Sequence, residues 1–120
     1  MRVLIVETDA DLGRLWLRHV ARLGATVDLA TTQEEAVEWL RANECDVIVL
    51  DLVLGEGSAF AVADFASYRR PEARIIFVTN TRFFSDGSIF SLCPNACAYV
   101  QSATPPEDIA AMVEHHATAR

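Results

Sequence analysis

Three short runs along the chain are apolar without interruption: Val3-Leu4-Ile5-Val6, Val47-Ile48-Val49-Leu50 and Ile75-Ile76-Phe77-Val78. A strand with one wet face alternates apolar and polar side chains, so unbroken β-branched runs predict strands covered on both faces. Weaker strand signals occur at about Ala25 to Ala30 and at Cys97 to Val100. Between the runs the apolar spacing becomes helical. Leu12, Leu15, Trp16, Val20 and Leu23 share one stripe, which predicts a helix from about Asp11 to Leu23 stopped by Gly24. A second helix, about Gln33 to Asn43, opens on Thr32-x-x-Glu35, a capping-box pattern. A third, about Ser58 to Tyr68, follows the turn Gly55-Glu56-Gly57 and stops before Pro71. The fourth, Phe83 to Leu92, is the poorest, with Ser85-Asp86-Gly87 inside it and Pro94 beyond. The fifth, about Pro106 to Thr118, carries Glu107 and Asp108 in its first turn, where the helix dipole favours acids.

Five short strands joined by connections of helical length imply an α/β fold, a parallel sheet with helices on both faces. At 120 residues the chain fits one domain, 1–120, and its 52% hydrophobic content supports a real core and excludes disorder for most of its length. There is no internal repeat, low-complexity segment or interdomain linker.

Charge narrows the partners. Seventeen acidic residues against ten basic ones give a net charge of −7, which argues against nucleic acid as a direct partner. All ten basic residues are arginine, so every mechanism that needs a lysine nucleophile, a Schiff base or an ammonium clamp is excluded. No apolar run approaches the roughly 20 residues of a membrane span, and Met1 to Val6 is too short for a signal peptide. The expectation is a cytoplasmic protein with no membrane partner. Cys45, Cys93 and Cys97 complete no zinc pattern and are expected as reduced, partly buried thiols.

In such sheets the functional crevice lies beyond the carboxyl ends of the strands. Glu7, Thr8 and Asp9 follow the first run, Asp51 the third strand, Thr79 and Asn80 the fourth. Three carboxylates converging there repel one another and raise at least one pKa. A hard cation such as Mg2+ relieves that repulsion and can draw a phosphoryl group onto the site. Asp51, at the end of the most apolar strand, is best placed as nucleophile, and Thr79 can donate a hydroxyl hydrogen bond to a phosphoryl oxygen. Plainer readings stand beside these: Asp9 capping the first helix, Thr79 merely ending a strand.

These residues also carry a family resemblance over nearly the whole length. Val6-Glu7-Thr8-Asp9, Asp51-Leu-Val-Leu-Gly-Glu-Gly-Ser58, Val78-Thr79, Ala96-x-x-Tyr99-Val100 and Pro106-Glu107-Asp108-Ile109 resemble the receiver domains of two-component response regulators. The second stretch is similar to that family's Asp-Leu-x-Leu-Pro-Asp-Gly-Ser. The resemblance implies a flavodoxin-like (βα)5 three-layer sandwich with sheet order 2-1-3-4-5. It implies that Asp51 accepts a phosphoryl group from a histidine kinase or phosphotransfer protein, and that a downstream protein reads the result, with a homodimer left open. It implies Mg2+ held by Glu7, Asp9, Asp51 and the Val53 carbonyl, with Thr79 following the phosphoryl group and Tyr99 turning inward as a switch. Val53 and Thr81 fall where family members tune dephosphorylation, and any enzymatic activity is limited to self-phosphorylation and self-dephosphorylation at Asp51.

The sequence departs from that pattern at two places. Thr8 replaces the second acid after the first strand, which weakens the metal site. Ser102 stands at the place of the family's lysine, flanked by Gln101 and Ala103, and Arg82 is the nearest cation in sequence. A hydroxyl cannot supply the charge that pairs with a phosphoryl oxygen. The alternative is thus a pseudo-receiver, a protein–protein interaction module independent of phosphorylation. Its surfaces would be the face of the fourth helix, fifth strand and fifth helix, with Phe83, Phe84, Phe90 and Tyr99, or the arginine stripe Arg14, Arg18 and Arg22. The plainer reading makes the phenylalanines core and the arginines a solvated face. A phosphohydrolase would need a second aspartate at Val53, and dinucleotide binding would need a glycine cluster between Glu7 and Gly13; neither is present.

Overall fold

Side chains alternate across a strand, so an unbroken apolar run must feed two cores at once. The first run does so: Leu4 and Val6 enter one core, Val3 and Ile5 the other, all fully buried. The computed structural model describes residues 1–55, 57–79 and 93–118. Its elements are β1 (Arg2–Val6), α1 (Ala10–Ala21), β2 (Thr26–Ala30), α2 (Gln33–Ala42), β3 (Val47–Asp51), α3 (Ala59–Arg69), β4 (Arg74–Thr79), β5 (Ala96–Gln101) and α4 (Pro106–Thr118). The fourth helix expected from sequence, Phe83 to Leu92, lies outside the described residues.

The strands form one parallel sheet in the order β2-β1-β3-β4-β5, the flavodoxin-like arrangement. One face carries α2 and α3 over Leu4, Ile48, Leu50, Ile75 and Phe77. The other carries α1 and α4, whose Trp16, Val20, Ile109 and Val113 cover Val3, Ile5, Val49 and Ile76. Truncating one of the fully buried leucines or isoleucines to alanine costs about 2–5 kcal/mol. Leu17 rather than the expected Leu15 joins Leu12 and Leu23 against this core, and α1 stops at Ala21.

The helix starts follow local chemistry. Thr32 Oγ1 accepts from the Glu35 amide at 3.1 Å, while the Glu35 carboxylate reaches back to the Thr31 amide at 2.9 Å and hydroxyl at 2.6 Å. Those bonds, the Thr31 hydroxyl foremost, hold the Glu35 carboxyl below the usual carboxylate range. At the far end, α3 is tied to α2: Arg70 Nε donates to the Leu40 carbonyl at 3.0 Å and Arg69 to the Arg41 carbonyl at 3.1 Å. These guanidinium groups satisfy carbonyls that the helix end leaves open.

Candidate functional site

Strand register assembles the carboxyl edge. Val6 pairs with Leu50 across the β1–β3 seam, so the next residues, Glu7 and Asp51, emerge side by side. Asp51 pairs with Val78, placing Thr79 one step further along the same edge. Thr79 pairs with Gln101, and the Ser102 amide donates to the Thr79 carbonyl at 2.9 Å. Glu7, Asp51, Thr79 and Ser102 therefore stand in a row across four neighbouring strands.

Asp51 is partly exposed, and its Oδ1 accepts from the Val53 amide two residues on at 2.8 Å. The Leu52 amide is bonded to the Val78 carbonyl at 2.8 Å, so the nucleophile candidate sits on backbone anchored to the sheet. Glu7 is 3% exposed. Its Oε1 accepts from the Asp9 amide at 3.1 Å, whereas its Oε2 is buried without a donor. Glu7 lies beside the Asp51 carboxyl, and two neighbouring carboxyls resist both being charged. Burial first, and then the Asp51 neighbour, push the Glu7 carboxyl up to about 8.

Asp9 takes a different part from the one expected alongside Glu7 and Asp51. It is the N-cap of α1, its Oδ1 accepting from the amides of Asp11 at 3.1 Å and Leu12 at 3.2 Å. Among the described residues, no three His, Cys, Asp or Glu side chains are grouped so that they could hold a metal ion. Glu7 and Asp51 are the closest of the three carboxylates, while Asp9 caps α1 and adds a weaker repulsion to Glu7. Thr8 turns instead to the β3–α3 loop, where its Oγ1 accepts from the Gly55 amide at 2.8 Å.

Thr79 is buried, 2% exposed, at the end of β4. Tyr99, opposite Phe77 in the β4–β5 register, is partly buried and packs against the core on the α2–α3 side. Val53 is 60% exposed beside Asp51. Thr81, Arg82, Phe83, Phe84 and Phe90 lie outside the described residues, and with them most of the expected switch face. The thiols keep away from the edge: Cys45 Sγ donates to the Val47 carbonyl at 3.1 Å and burial pushes it up to about 12.

The family model of the response regulator receiver domain matches residues 3–114. The chain belongs to that family. Among curated relatives, the Transcriptional regulatory protein DltR of Streptococcus agalactiae is 29% identical over 79 residues, 66% of this chain and 35% of that protein. The chain thus spans about a third of the length of the curated relatives it matches. A receiver domain protein (CheY-like) from Methanospirillum hungatei superposes with a TM-score of 0.88 at 23% identity, covering 98% of this chain and 94% of that one. The response regulator protein TrrA from Thermotoga maritima, solved in complex with Mg(2+)-BeF, gives 0.81 at 21% identity, with 96% and 97% covered. At these identities the structural likeness shows the fold alone.

In this receiver the sequence reasoning missed two contacts. Gln33, read only as a helix start, points Oε1 at the Ser58 amide, 2.7 Å away. Thr8, read as a lost ligand, is a hydrogen-bond acceptor. Gly55 and Gly57 leave room for Thr8 and Gln33, but nothing in the sequence names those two as the side chains that fill it.

Proposed function

We propose that this receiver accepts a phosphoryl group on Asp51 and passes that state to a protein partner. The observation that carries the reading is the Asp51 carboxylate at the open end of β3, one oxygen held by the Val53 amide, with the Glu7 carboxyl buried beside it. A carboxylate oriented by a rigid strand end is suited to attack phosphorus, while the donor's leaving group departs with its bonding electrons. The Thr79 hydroxyl then serves as hydrogen-bond partner to a phosphoryl oxygen, and Tyr99 as the aromatic that follows it. Val53, exposed beside Asp51, would influence how fast water removes the acyl phosphate, and the resemblance gives Thr81 the same part. Ser102 occupies the lysine's place with a neutral hydroxyl, so the phosphorylated state is held without that charge.

The donor set fits a divalent cation with fewer carboxylates than the resemblance implies. Glu7, with its donorless Oε2, Asp51 and the Val53 carbonyl would hold Mg2+, while Asp9 is kept at the α1 cap. Bound there, Mg2+ would neutralise the paired carboxylates and the incoming phosphoryl oxygens. The partners are a histidine kinase or phosphotransfer protein, a downstream reader and, as a further arrangement, a second copy. Residues 1–120 act as one cytoplasmic receiver unit, with no catalysis beyond its own phosphorylation and dephosphorylation.

A second reading, a pseudo-receiver that binds partners without phosphorylation, is favoured by one observation: Thr8 stands where an acid is expected and is already bonded to the Gly55 amide. Incubation with acetyl phosphate and Mg2+, followed by intact mass measurement, separates the two. The phosphoacceptor reading expects a gain of one phosphoryl group, abolished by Asp51→Asn. No gain, with partner binding indifferent to Asp51→Asn, establishes the pseudo-receiver.

A further inference from the structure

The β3–α3 loop that leaves Asp51 is held from two sides by side chains of other segments. From the β1–α1 loop, Thr8 Oγ1 accepts from the Gly55 amide at 2.8 Å. From the first residue of α2, Gln33 Oε1 accepts from the Ser58 amide at 2.7 Å. Neither contact is local: the pairs are separated by 47 and 25 residues. The glycines are shaped to them. A Cβ on Gly55 would stand 2.9 Å from Thr8 Cγ2. A Cβ on Gly57 would collide with Gln33 Cβ and Oε1, and Gly57 also has φ +88°. Ahead of both holds, the Val53 amide fixes the Asp51 oxygen itself.

We propose that Thr8 and Gln33 are positioning residues that keep the Asp51 loop in its phosphoryl-accepting form through neutral hydrogen bonds, without needing a cation to order it. The inference rests on the reading of Asp51 as phosphoacceptor and adds how that site is held ready. An acid at position 8 would bring a further charge beside Glu7 and Asp51 and would need a cation to hold the loops together. A threonine hydroxyl draws the same two loops together and adds no charge. Gln33 does the same work at the other end of the loop, where α3 begins. Preorganising a reacting group in this way removes ordering cost from the step that uses it.

Amide hydrogen exchange of the metal-free protein tests the hold, and acetyl phosphate labelling tests its use. Gly55 and Ser58 amides should exchange slowly without Mg2+ and change little when it is added. Thr8→Val should speed exchange at Gly55 by about fivefold or more while sparing Ser58. Gln33→Ala should do the converse. Thr8→Val should also slow phosphoryl uptake at saturating Mg2+, and Thr8→Ser, which keeps the hydroxyl, should restore both protection and rate. Unprotected amides in the metal-free wild type, or protection gained only with Mg2+, would overturn the proposal while leaving Asp51 as acceptor. Protected amides in a chain that takes up no phosphoryl group would instead sink the underlying reading, and the positioning role with it. The two failures are read from different signals.

Discussion

The buried Glu7 carboxyl faces the Asp51 carboxyl at the β1–β3 seam, with one Glu7 oxygen lacking any donor. Burial and this neighbour raise Glu7 from 4.5 to about 8, so the folded chain holds a proton that the unfolded chain has released. Stability linked to Glu7 is therefore full below about pH 4.5 and is lost as pH rises toward 8. Glu7→Gln should remove that loss. Chemical denaturation at several pH values should show the variant gaining on the wild type by a few kcal/mol between pH 5 and pH 8. A constant difference across that range would place the Glu7 charge elsewhere. Asp51→Asn should move the Glu7 titration downward, because one of the causes of its rise is removed.

Asp9 separates capping from metal binding. Asp9→Ala deletes the acceptor for the Asp11 and Leu12 amides and should cost about 1 kcal/mol, whereas Asp9→Asn keeps a good cap and should cost only a few tenths. Mg2+ affinity, followed by calorimetry, should be nearly the same in Asp9→Asn as in the wild type. A large loss of affinity in that variant would restore Asp9 to the cation's ligands.

The thiols supply a test of the core. Cys45 is buried and bonded to the Val47 carbonyl, with its thiol pushed up to about 12. The thiolate is the reactive form, so iodoacetamide at pH 8 should leave Cys45 unmodified in the native chain and alkylate it after denaturation. Rapid native labelling of Cys45, mapped by mass spectrometry, would show that the β3 end of the sheet opens readily.

Much of the fold was legible because its strongest elements are locally determined. Val3 to Val6, Val47 to Leu50 and Ile75 to Val78 announce strands covered on both faces, and Thr32 with Glu35 announces a helix start. β5 was weaker in sequence because Ala96 to Gln101 is only partly buried and its pairing shifts between Ile75 and Ile76. At the site, the convergence of Glu7 and Asp51 followed from reading strand ends. What each polar group would bond did not. Whether Asp9 caps a helix or faces Asp51 depends on the direction of one short turn. Thr8 meets Gly55, and Gln33 meets Ser58, through tertiary contacts between distant segments. No local pattern of residues encodes such a pairing.

The most direct measurement is to locate the modified residue itself. After incubation with acetyl phosphate and Mg2+, borohydride reduction converts an acyl phosphate to an alcohol that survives proteolysis and can be mapped by peptide mass spectrometry. The account predicts a single reduced position, residue 51, lost in Asp51→Asn. Reduction at Glu7 or Asp9, or at no carboxylate at all, would contradict it.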